Sequence, residues 1–163
     1  MAISSNILRT DLDARDHQIL DELQRDGSLS NADLAERVHL SPSACLRRVN
    51  LLKESGLVEG THLILNQVKA GFEGTAYLFI ALKGQDRDTL DAFERAMTKV
   101  SHIQECYLLA GQSDYLLRVV FRDMEDFERL HSEVITRLPG VERVQSTLTL
   151  RTVKRVTRLP LRE

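Results

Sequence analysis

Residues 29–56 read LSNADLAERVHLSPSACLRRVNLLKESG, and this stretch decides the fold of the first third of the chain. Ser30 or Asn31 is suited to cap a short helix, because their side-chain oxygens can accept hydrogen bonds from the first free backbone N–H groups. Ser41 is suited to cap the next helix, and Pro42 then stands at its first position, where a missing N–H group costs nothing. The spacing predicts two helices joined by a tight turn.

A further helix precedes this stretch. Asp13 is a candidate N-cap, and Ile19, Leu20 and Leu23 form an apolar stripe at helical spacing. Three short helices, with a tight turn between the second and the third, predict a (winged) helix-turn-helix domain. The residues after the third helix, Leu57–Leu65, are predicted to be extended.

The third predicted helix has two unlike faces. Cys45, Val49 and Leu52 are spaced four and three residues apart, so they share a face that is expected to pack on the first two helices. Small residues on the opposite face let a helix enter the major groove of DNA, where arginine and asparagine side chains hydrogen-bond base edges. The candidate DNA-reading residues on this face are Ser43, Ala44, Arg47 and Asn50.

Two further positions of this helix are candidates for DNA contact. Arg48 lies on the flank and is expected to touch a phosphate or an acidic residue of its own domain. Ser41 and Ser43 are capping residues first, and then phosphate donors through their hydroxyl and backbone N–H groups. The alternative interpretation is a solvated helix face with an internal salt bridge, for instance to Glu54.

The spacing of hydrophobic residues in the rest of the chain differs from that of the helical first third. The predicted elements are a strand at 75–82, a helix at 88–100, strands at 103–110 and 115–121, a helix at 123–138 and a strand at 141–153. This βαββαβ order is the ferredoxin-like pattern, an antiparallel four-stranded sheet with two helices on one face, so the chain is expected to be α+β. Because the strands carry large apolar residues on both sides, the uncovered face is predicted to be buried against another subunit.

Composition and charge exclude several classes of protein. The chain has 163 residues, of which 42% are hydrophobic and 28% are charged, so it is neither disordered nor collagen-like. The longest apolar run, 76–82, is far shorter than the ~20 residues of a membrane span. With no signal peptide visible, we expect a cytoplasmic protein without membrane association.

The charge distribution shows no bulk basic field. The net charge is −2, and residues 1–60 carry 7 basic and 10 acidic side chains. Any DNA binding must therefore come from a local patch, multiplied by oligomerisation.

Patterns typical of catalysis or metal binding are missing from the sequence. Cys45 and Cys106 have no metal-ligand spacing and are expected to be reduced thiols. The five histidines show no HxxxH or HExxH spacing, and there is no Ser-His-Asp order, P-loop or GxGxxG. We expect no enzyme activity, no metal and no cofactor.

Several motifs in order resemble those of one family. They are LDARDHQILDELQRDG, LSNADLAERVHLSP, CLRRVNLLKESGLVEG, IQECYLLAGQSDYLLRV and LPGVERVQS, followed by the tail VKRVTRLPL. From about Leu12 to Leu161, the chain resembles the Lrp/AsnC, or feast/famine, family of bacterial and archaeal transcription regulators.

The resemblance implies a regulator that binds double-stranded DNA and responds to a free amino acid. It implies homodimers formed through the ferredoxin-like domain and assembled into tetramers or octamers. It also places the amino acid at interfaces of that domain, near the glycine-containing loop between its second and third strands. The expected domains are 1–60 for DNA binding, 61–74 as a linker, and 75–163 for amino-acid binding and oligomerisation.

That loop, Gly111–Asp114, suits a zwitterion. A free amino acid needs N–H donors for its carboxylate, which a glycine loop exposes, and an acceptor for its ammonium group, which Asp114 offers. The alternative is a tight turn in which Gly111 supplies an unusual φ and Asp114 caps its own backbone. With the resemblance, the candidate effector-binding residues are Tyr107, Leu109, Gly111, Gln112, Ser113, Asp114, Ser146 and Thr147.

The sequence leaves alternatives open for the tail and for the function. The tail 151–162 holds five basic residues and is expected to be a solvated strand end that contacts a neighbouring subunit, with a secondary DNA-contacting surface as the alternative. One rival function is an architectural DNA-binding protein with little effector response. Another is a sensor subunit that partners an enzyme, since a fold alone does not determine function.

Overall fold

The computed structural model describes residues 12–161 and divides them into two compact units. The helical unit consists of residues 12–63 together with 154–161, and the sheet unit consists of residues 64–153. Among the described residues, no helix has the length and apolar character needed to cross a membrane.

Three helices form the helical unit: α1 (Ala14–Arg25), α2 (Asn31–Arg37) and α3 (Pro42–Glu54). Their inward faces meet in one apolar core, which includes the predicted α3 stripe, with Cys45 and Leu52 buried and Val49 packed against them. The buried members of this core are Ile19, Leu20, Leu34, Ala35, Val38, Cys45 and Leu52.

The predicted helix caps are confirmed. Asp13 and Asp16 close a capping box at the start of α1, each side chain accepting from the other residue's backbone N–H. Ser41 caps α3. At α2 the cap is Ser30 rather than Asn31, which is the first helical residue.

The turn between α2 and α3 is tight, as predicted. His39 has a φ of 54°, a left-handed conformation that costs a residue with a side chain roughly 1 kcal/mol. The Leu40 N–H donates to the Ala35 carbonyl at 2.9 Å, and the Arg15 guanidinium donates to the Val38 carbonyl at 2.9 Å. The first bond closes the turn between α2 and α3, and the second ties the start of that turn to α1, so the three helices form a helix-turn-helix.

The segment that follows α3 has no strand. Residues 55–73, all of them described, contain turns and unpaired backbone only. Leu57–Leu65, predicted to be extended, therefore pair with no strand within residues 12–161.

The sheet unit has the predicted βαββαβ order, and its four strands form one antiparallel sheet in the order β2-β3-β1-β4. The helix α5 continues as a π-helical turn, Leu130–Val134, and a 3-10 turn, Ile135–Arg137. The elements are β1 (Gly74–Leu82), α4 (Arg87–Met97), β2 (Ile103–Leu108), β3 (Tyr115–Phe121), α5 (Met124–Arg129) and β4 (Val141–Leu148).

Two strands end earlier than predicted, because each runs out of a partner. β4 pairs with β1, and in their register Gly74, the first residue of β1, stands opposite residue 150, so no partner remains for residues 151–153. The last pair is Ala76 with Leu148, followed by one hydrogen bond from the Thr149 N–H to the Thr75 carbonyl. β2 pairs only with β3, and its last pair is Leu108 with Tyr115. The predicted ends at residues 153 and 110 were wrong for this reason.

The helices cover one face of the sheet. Alternate β1 residues, Ala76, Leu78 and Ile80, are buried with Phe93 of α4 and Leu130. The other face is formed by the residues between them and their neighbours in β2, β3 and β4. Its members include Tyr77, Phe79, Glu105, Tyr107, Leu116 and Arg118.

One glycine of the sheet is required by packing. A Cβ atom on Gly74 would overlap the Phe121 ring, which lies directly over the first residue of β1. The ring takes the space that a side chain would need, so any other residue at the start of β1 would have to displace the Phe121 ring.

Candidate DNA-reading face and effector loop

The outer face of α3 carries two polar side chains, Arg47 and Asn50, without a partner among the described residues. Ser43, Arg47 and Asn50 are exposed, and neither Arg47 nor Asn50 forms an ion pair or side-chain hydrogen bond with any described residue. The salt bridge of the alternative interpretation, to Glu54, does not form in the described residues. The two side chains are thus available to an outside acceptor.

Arg48 has the intramolecular role that was one of its two predicted options. Its guanidinium lies 2.8 Å from carboxylate oxygens of both Asp13 and Asp16. Hydrogen bonds to these two carboxylates raise the pKa of Arg48 above its usual value. The network ties the middle of α3 to the first turn of α1, and so fixes how α3 presents its outer face.

The start of α3 is ordered by polar side chains. The Ser41 hydroxyl accepts from the Ala44 N–H at 3.3 Å and lies 3.3 Å from the Ser43 hydroxyl. From α2, the Asn31 amide donates to the Pro42 carbonyl at 2.8 Å. Both serines are exposed, whereas Ala44 is half-buried.

Two leucines of α3 were missed by the sequence analysis. Leu46 and Leu51 are 49% and 51% exposed, which is high for large apolar side chains. Leu51 lines an open cleft of about 200 Å³ together with Asp16, Arg47, Arg48 and Leu52. Their exposure could have been predicted, because both leucines stand outside the inward stripe of Cys45, Val49 and Leu52.

The loop between β2 and β3 is tied to the end of β1 through Asp114. The Asp114 N–H donates to the Ile80 carbonyl, and the Asp114 carbonyl accepts from the Leu109 N–H, both at 2.8 Å. The carboxylate is buried and accepts from the Leu82 N–H at 2.7 Å and from the Gln85 amide at 2.6 Å. Both carboxylate oxygens are thus engaged within the chain.

The tip of the same loop has unused donors. The backbone N–H groups of Gly111, Gln112 and Ser113 donate to no acceptor among the described residues. The φ of Gly111 is not in the left-handed region, and a Cβ atom there would meet nothing within 4 Å. The tight-turn alternative, in which Gly111 supplies an unusual φ, is therefore wrong.

The predicted effector residues do not all meet within one chain. Tyr107 is exposed on β2, with its hydroxyl donating to Glu105 at 3.1 Å, and Leu109 begins the loop. Ser146 and Thr147 lie on β4, at the opposite edge of the sheet. Three strand spacings separate the edges, about 14 Å.

The described residues contain no cluster suited to a metal ion. Both cysteines are free thiols, Cys45 buried and Cys106 half-buried. Burial raises the pKa of the Cys106 thiol to about 11, so it is protonated and unreactive at neutral pH.

Comparison with known proteins decides the family. The model of the Lrp/AsnC ligand binding domain matches residues 75–159, and that of a winged helix-turn-helix DNA-binding domain matches residues 12–59. The chain belongs to the Lrp/AsnC family. Its Lrp/AsnC relatives include the transcriptional regulator AzlB of Bacillus subtilis, which is 36% identical over 152 residues, or 93% of this chain and 97% of that protein.

A second Lrp/AsnC relative is the leucine-responsive regulatory protein of Escherichia coli, 38% identical over 93% of each chain. Among solved structures, a transcriptional regulator of Neisseria meningitidis, crystallised as a complex with L-Met, superposes with a TM-score of 0.88. It is 34% identical and covers 92% of this chain and 97% of its own. The structure of an AsnC family regulator of Agrobacterium tumefaciens superposes with a TM-score of 0.86. It is 31% identical and covers 92% of this chain and 97% of its own.

These Lrp/AsnC relatives are transcriptional regulators with a DNA-binding helix-turn-helix, not enzymes, which confirms the expected absence of enzyme activity. The chain is accordingly an Lrp/AsnC transcriptional regulator with a ligand-binding domain, and its α+β fold is the one predicted.

Proposed function

We propose that this regulator binds specific DNA sequences and that its DNA binding and assembly respond to a free amino acid. One observation carries the effector part: three consecutive backbone N–H groups, of Gly111, Gln112 and Ser113, are unbonded in a ligand-binding domain. Such a run of donors suits a carboxylate. The proposal keeps 1–60 for DNA binding, 61–74 as a linker and the region from residue 75 for amino-acid binding and oligomerisation, except that residues 154–161, predicted to belong to this last domain, group with the helical unit. The proposed place of action is the cytoplasm.

In the proposed DNA complex, the outer face of α3 enters the major groove. Arg47 suits the two acceptors of guanine, and Asn50 suits the donor and acceptor of adenine. Ser41 and Ser43 are exposed beside the start of α3, where hydroxyl groups suit a phosphate. Arg48 orients α3 through Asp13 and Asp16 rather than reading bases.

The amino-acid ammonium group is proposed to bind at Asp114. Because both carboxylate oxygens already accept from Leu82 and Gln85, the ammonium must share or displace one of these donors. Gln85 is the displaceable partner, since it is an exposed side chain on the segment after β1. Release of Gln85 from Asp114 would couple effector binding to the conformation of the segment after β1.

Assembly is proposed to bury the open face of the sheet in a homodimer, which then forms tetramers or octamers. Tyr77 and Tyr107 are 38% and 52% exposed on that face, beside the Arg118–Glu105 ion pair of 2.7 Å. The β2, β3 and β1 part of this face is apolar apart from that pair, whereas β4 adds the polar Arg143, Gln145 and Thr147. The apolar part suits burial against its own copy. Thr147 lies on this face opposite Tyr77, whereas Ser146 lies on the helix-covered face opposite Leu78. Both are remote from the loop within one chain, and we propose that they reach an effector held by a neighbouring chain from the β4 edge of the sheet.

Two measurements test the proposal. The first is the melting temperature of the protein with each of the twenty amino acids; a ligand at a hundred times its Kd stabilises the native state by about 2.7 kcal/mol. The second is selection of DNA sites from random duplexes, followed by binding with and without the amino acid. Selected sites should bind far more tightly than random duplexes, and the amino acid should change that affinity.

The contrary outcomes are distinct. Equal binding to selected and random duplexes, with no amino acid raising the melting temperature, would favour the architectural alternative. No binding to any DNA would favour the sensor subunit.

A further inference from the structure

The tail is docked on the helical unit, although it was expected to reach a neighbouring subunit. The Gln24 side-chain amide of α1 clamps the backbone of Leu159, accepting from its N–H at 2.7 Å and donating to its carbonyl at 3.3 Å. Two residues later, Leu161 packs against the apolar core of the three helices. The tail is thus held at two points, on either side of Pro160.

The docked tail changes the charge of the unit that carries the DNA-reading face. Residues 12–63 hold six basic and nine acidic side chains, so they are net acidic. Residues 154–161 add three basic side chains and no acidic one. Docking therefore brings the described part of the unit to neutrality.

The tail cations are also free, whereas most cations of the helices are not. Arg25 and Arg37 pair with Glu22, and Arg48 pairs with two aspartates. Among the six basic residues of 12–63, only Arg47 and Lys53 make neither an ion pair nor a side-chain hydrogen bond in the described structure. The exposed cations of the tail, equally unpaired among the described residues, are Lys154, Arg155 and Arg158.

We propose that residues 154–161 are a docked part of the DNA-binding unit, and that Lys154, Arg155 and Arg158 attract DNA phosphates. This rests on the proposed DNA-binding function. A net acidic unit is repelled by the phosphate backbone, and free cations within about 10 Å of the backbone offset that repulsion at moderate salt. The tail supplies three such cations to a unit that otherwise has two.

The decisive variant is the triple substitution Lys154→Gln, Arg155→Gln and Arg158→Gln. Its matched control, Lys83→Gln, Lys99→Gln and Arg137→Gln, removes the same charge from exposed, unpaired positions of the sheet unit. Binding to a selected DNA site is measured from low to moderate salt for both variants and for the unaltered protein. We expect the tail variant to bind at least tenfold more weakly at low salt.

The salt dependence identifies the cause. Each lost phosphate contact lowers the slope of log K against log salt by about 0.9, so three contacts lower it by roughly 2.7 per chain. The control should leave the slope unchanged. A tail variant with the slope and affinity of the unaltered protein would overturn the tail proposal and leave the proposed function standing. Failure of the unaltered protein to bind any DNA site would instead overturn the proposed function itself.

A second experiment tests the docking without DNA. Trypsin cuts after Lys154, Arg155 and Arg158, and a docked tail resists cleavage next to its clamp. Gln24→Ala should speed cleavage after Arg158 severalfold, whereas Gln104→Ala, which removes a glutamine hydrogen bond in the sheet unit, should not. Equal cleavage rates in both variants and the unaltered protein would contradict the docked tail.

Discussion

The outer face of α3 and the loop between β2 and β3 offer their chemistry in opposite ways. In the middle of α3 the backbone hydrogen bonds are made within the helix, and the side chains of Arg47 and Asn50 have no partner among the described residues. In the loop, the backbone N–H groups of residues 111–113 are free and the one acidic side chain, Asp114, is engaged. A regular element presents side chains that can differ between family members, whereas an irregular loop presents a backbone that can receive the group common to all amino acids.

The largest effect on stability is expected at Asp114, the side chain that anchors the loop between β2 and β3. Asp114→Ala leaves the buried Leu82 N–H without its acceptor and frees Gln85, which should lower the free energy of unfolding by about 1–3 kcal/mol. Urea unfolding measures this loss, and the amino-acid response should weaken while DNA affinity is spared. Asp114→Asn, which keeps one carbonyl acceptor, should lose less; an unchanged stability in Asp114→Ala would contradict the anchoring role.

The next effect tests the free side chains of α3. Arg47→Ala should weaken binding to a selected site by about 1–3 kcal/mol per half-site, or roughly fivefold to 150-fold, with no change in melting temperature. Lys53→Ala, on the last turn of the same helix, serves as the control and should weaken all duplexes slightly and equally. Operator affinity equal to that of the unaltered protein would remove Arg47 from the reading face.

A smaller effect tests whether Arg48 orients α3 rather than contacting bases. Arg48→Ala should lower the free energy of unfolding by about 1 kcal/mol, because its pairs with Asp13 and Asp16 are partly exposed. A double-mutant cycle with Asp16→Ala isolates the pair and should give a coupling of about 0.5–1 kcal/mol. Additive effects of the two substitutions would contradict the bridge between α1 and α3.

The same network gives a pH dependence. Hydrogen bonding from the Asp16 N–H, followed by the interaction with Arg48, holds the pKa of Asp13 below its usual 3.8. The ionised cap therefore stabilises the fold above pH 3.8, and this stabilisation is lost as the pH falls from there through the lower folded pKa. Asp13→Asn should be less stable than the unaltered protein at pH 7, and the gap should close in acid; a gap that is constant with pH would refute this.

The smallest change in stability is expected at the loop tip. Gly111→Ala adds a methyl group to open space, so its free energy of unfolding should change by less than about 0.5 kcal/mol. If the effector carboxylate approaches this backbone, the same variant should lose the rise in melting temperature with the amino acid. Gly74→Ala is the contrast, since its Cβ atom has no room beside Phe121 and should destabilise the sheet. An intact response in Gly111→Ala would remove the loop tip from the effector site.

Much of the fold was predicted from short-range signals. The caps Asp13 and Ser41, the inward stripe of α3 and the βαββαβ order are local patterns of spacing and polarity, so they need no knowledge of neighbours. The ends of β2 and β4 were mispredicted because a strand ends where its partner does, and a partner is set by the sheet. The choice between phosphate and carboxylate for Arg48 likewise depended on which residues of α1 lie opposite.

The sequence by itself determined the helix-turn-helix, the α+β class and the candidate positions on α3, because periodicity and capping are properties of neighbouring residues. Only the tertiary structure decided that Asp114 is anchored by Leu82 and Gln85, that Ser146 lies across the sheet from the loop, and that the tail returns to Gln24. Each of these contacts joins residues far apart in the chain. Which distant groups meet follows from burying two apolar cores at once, and no local pattern specifies that.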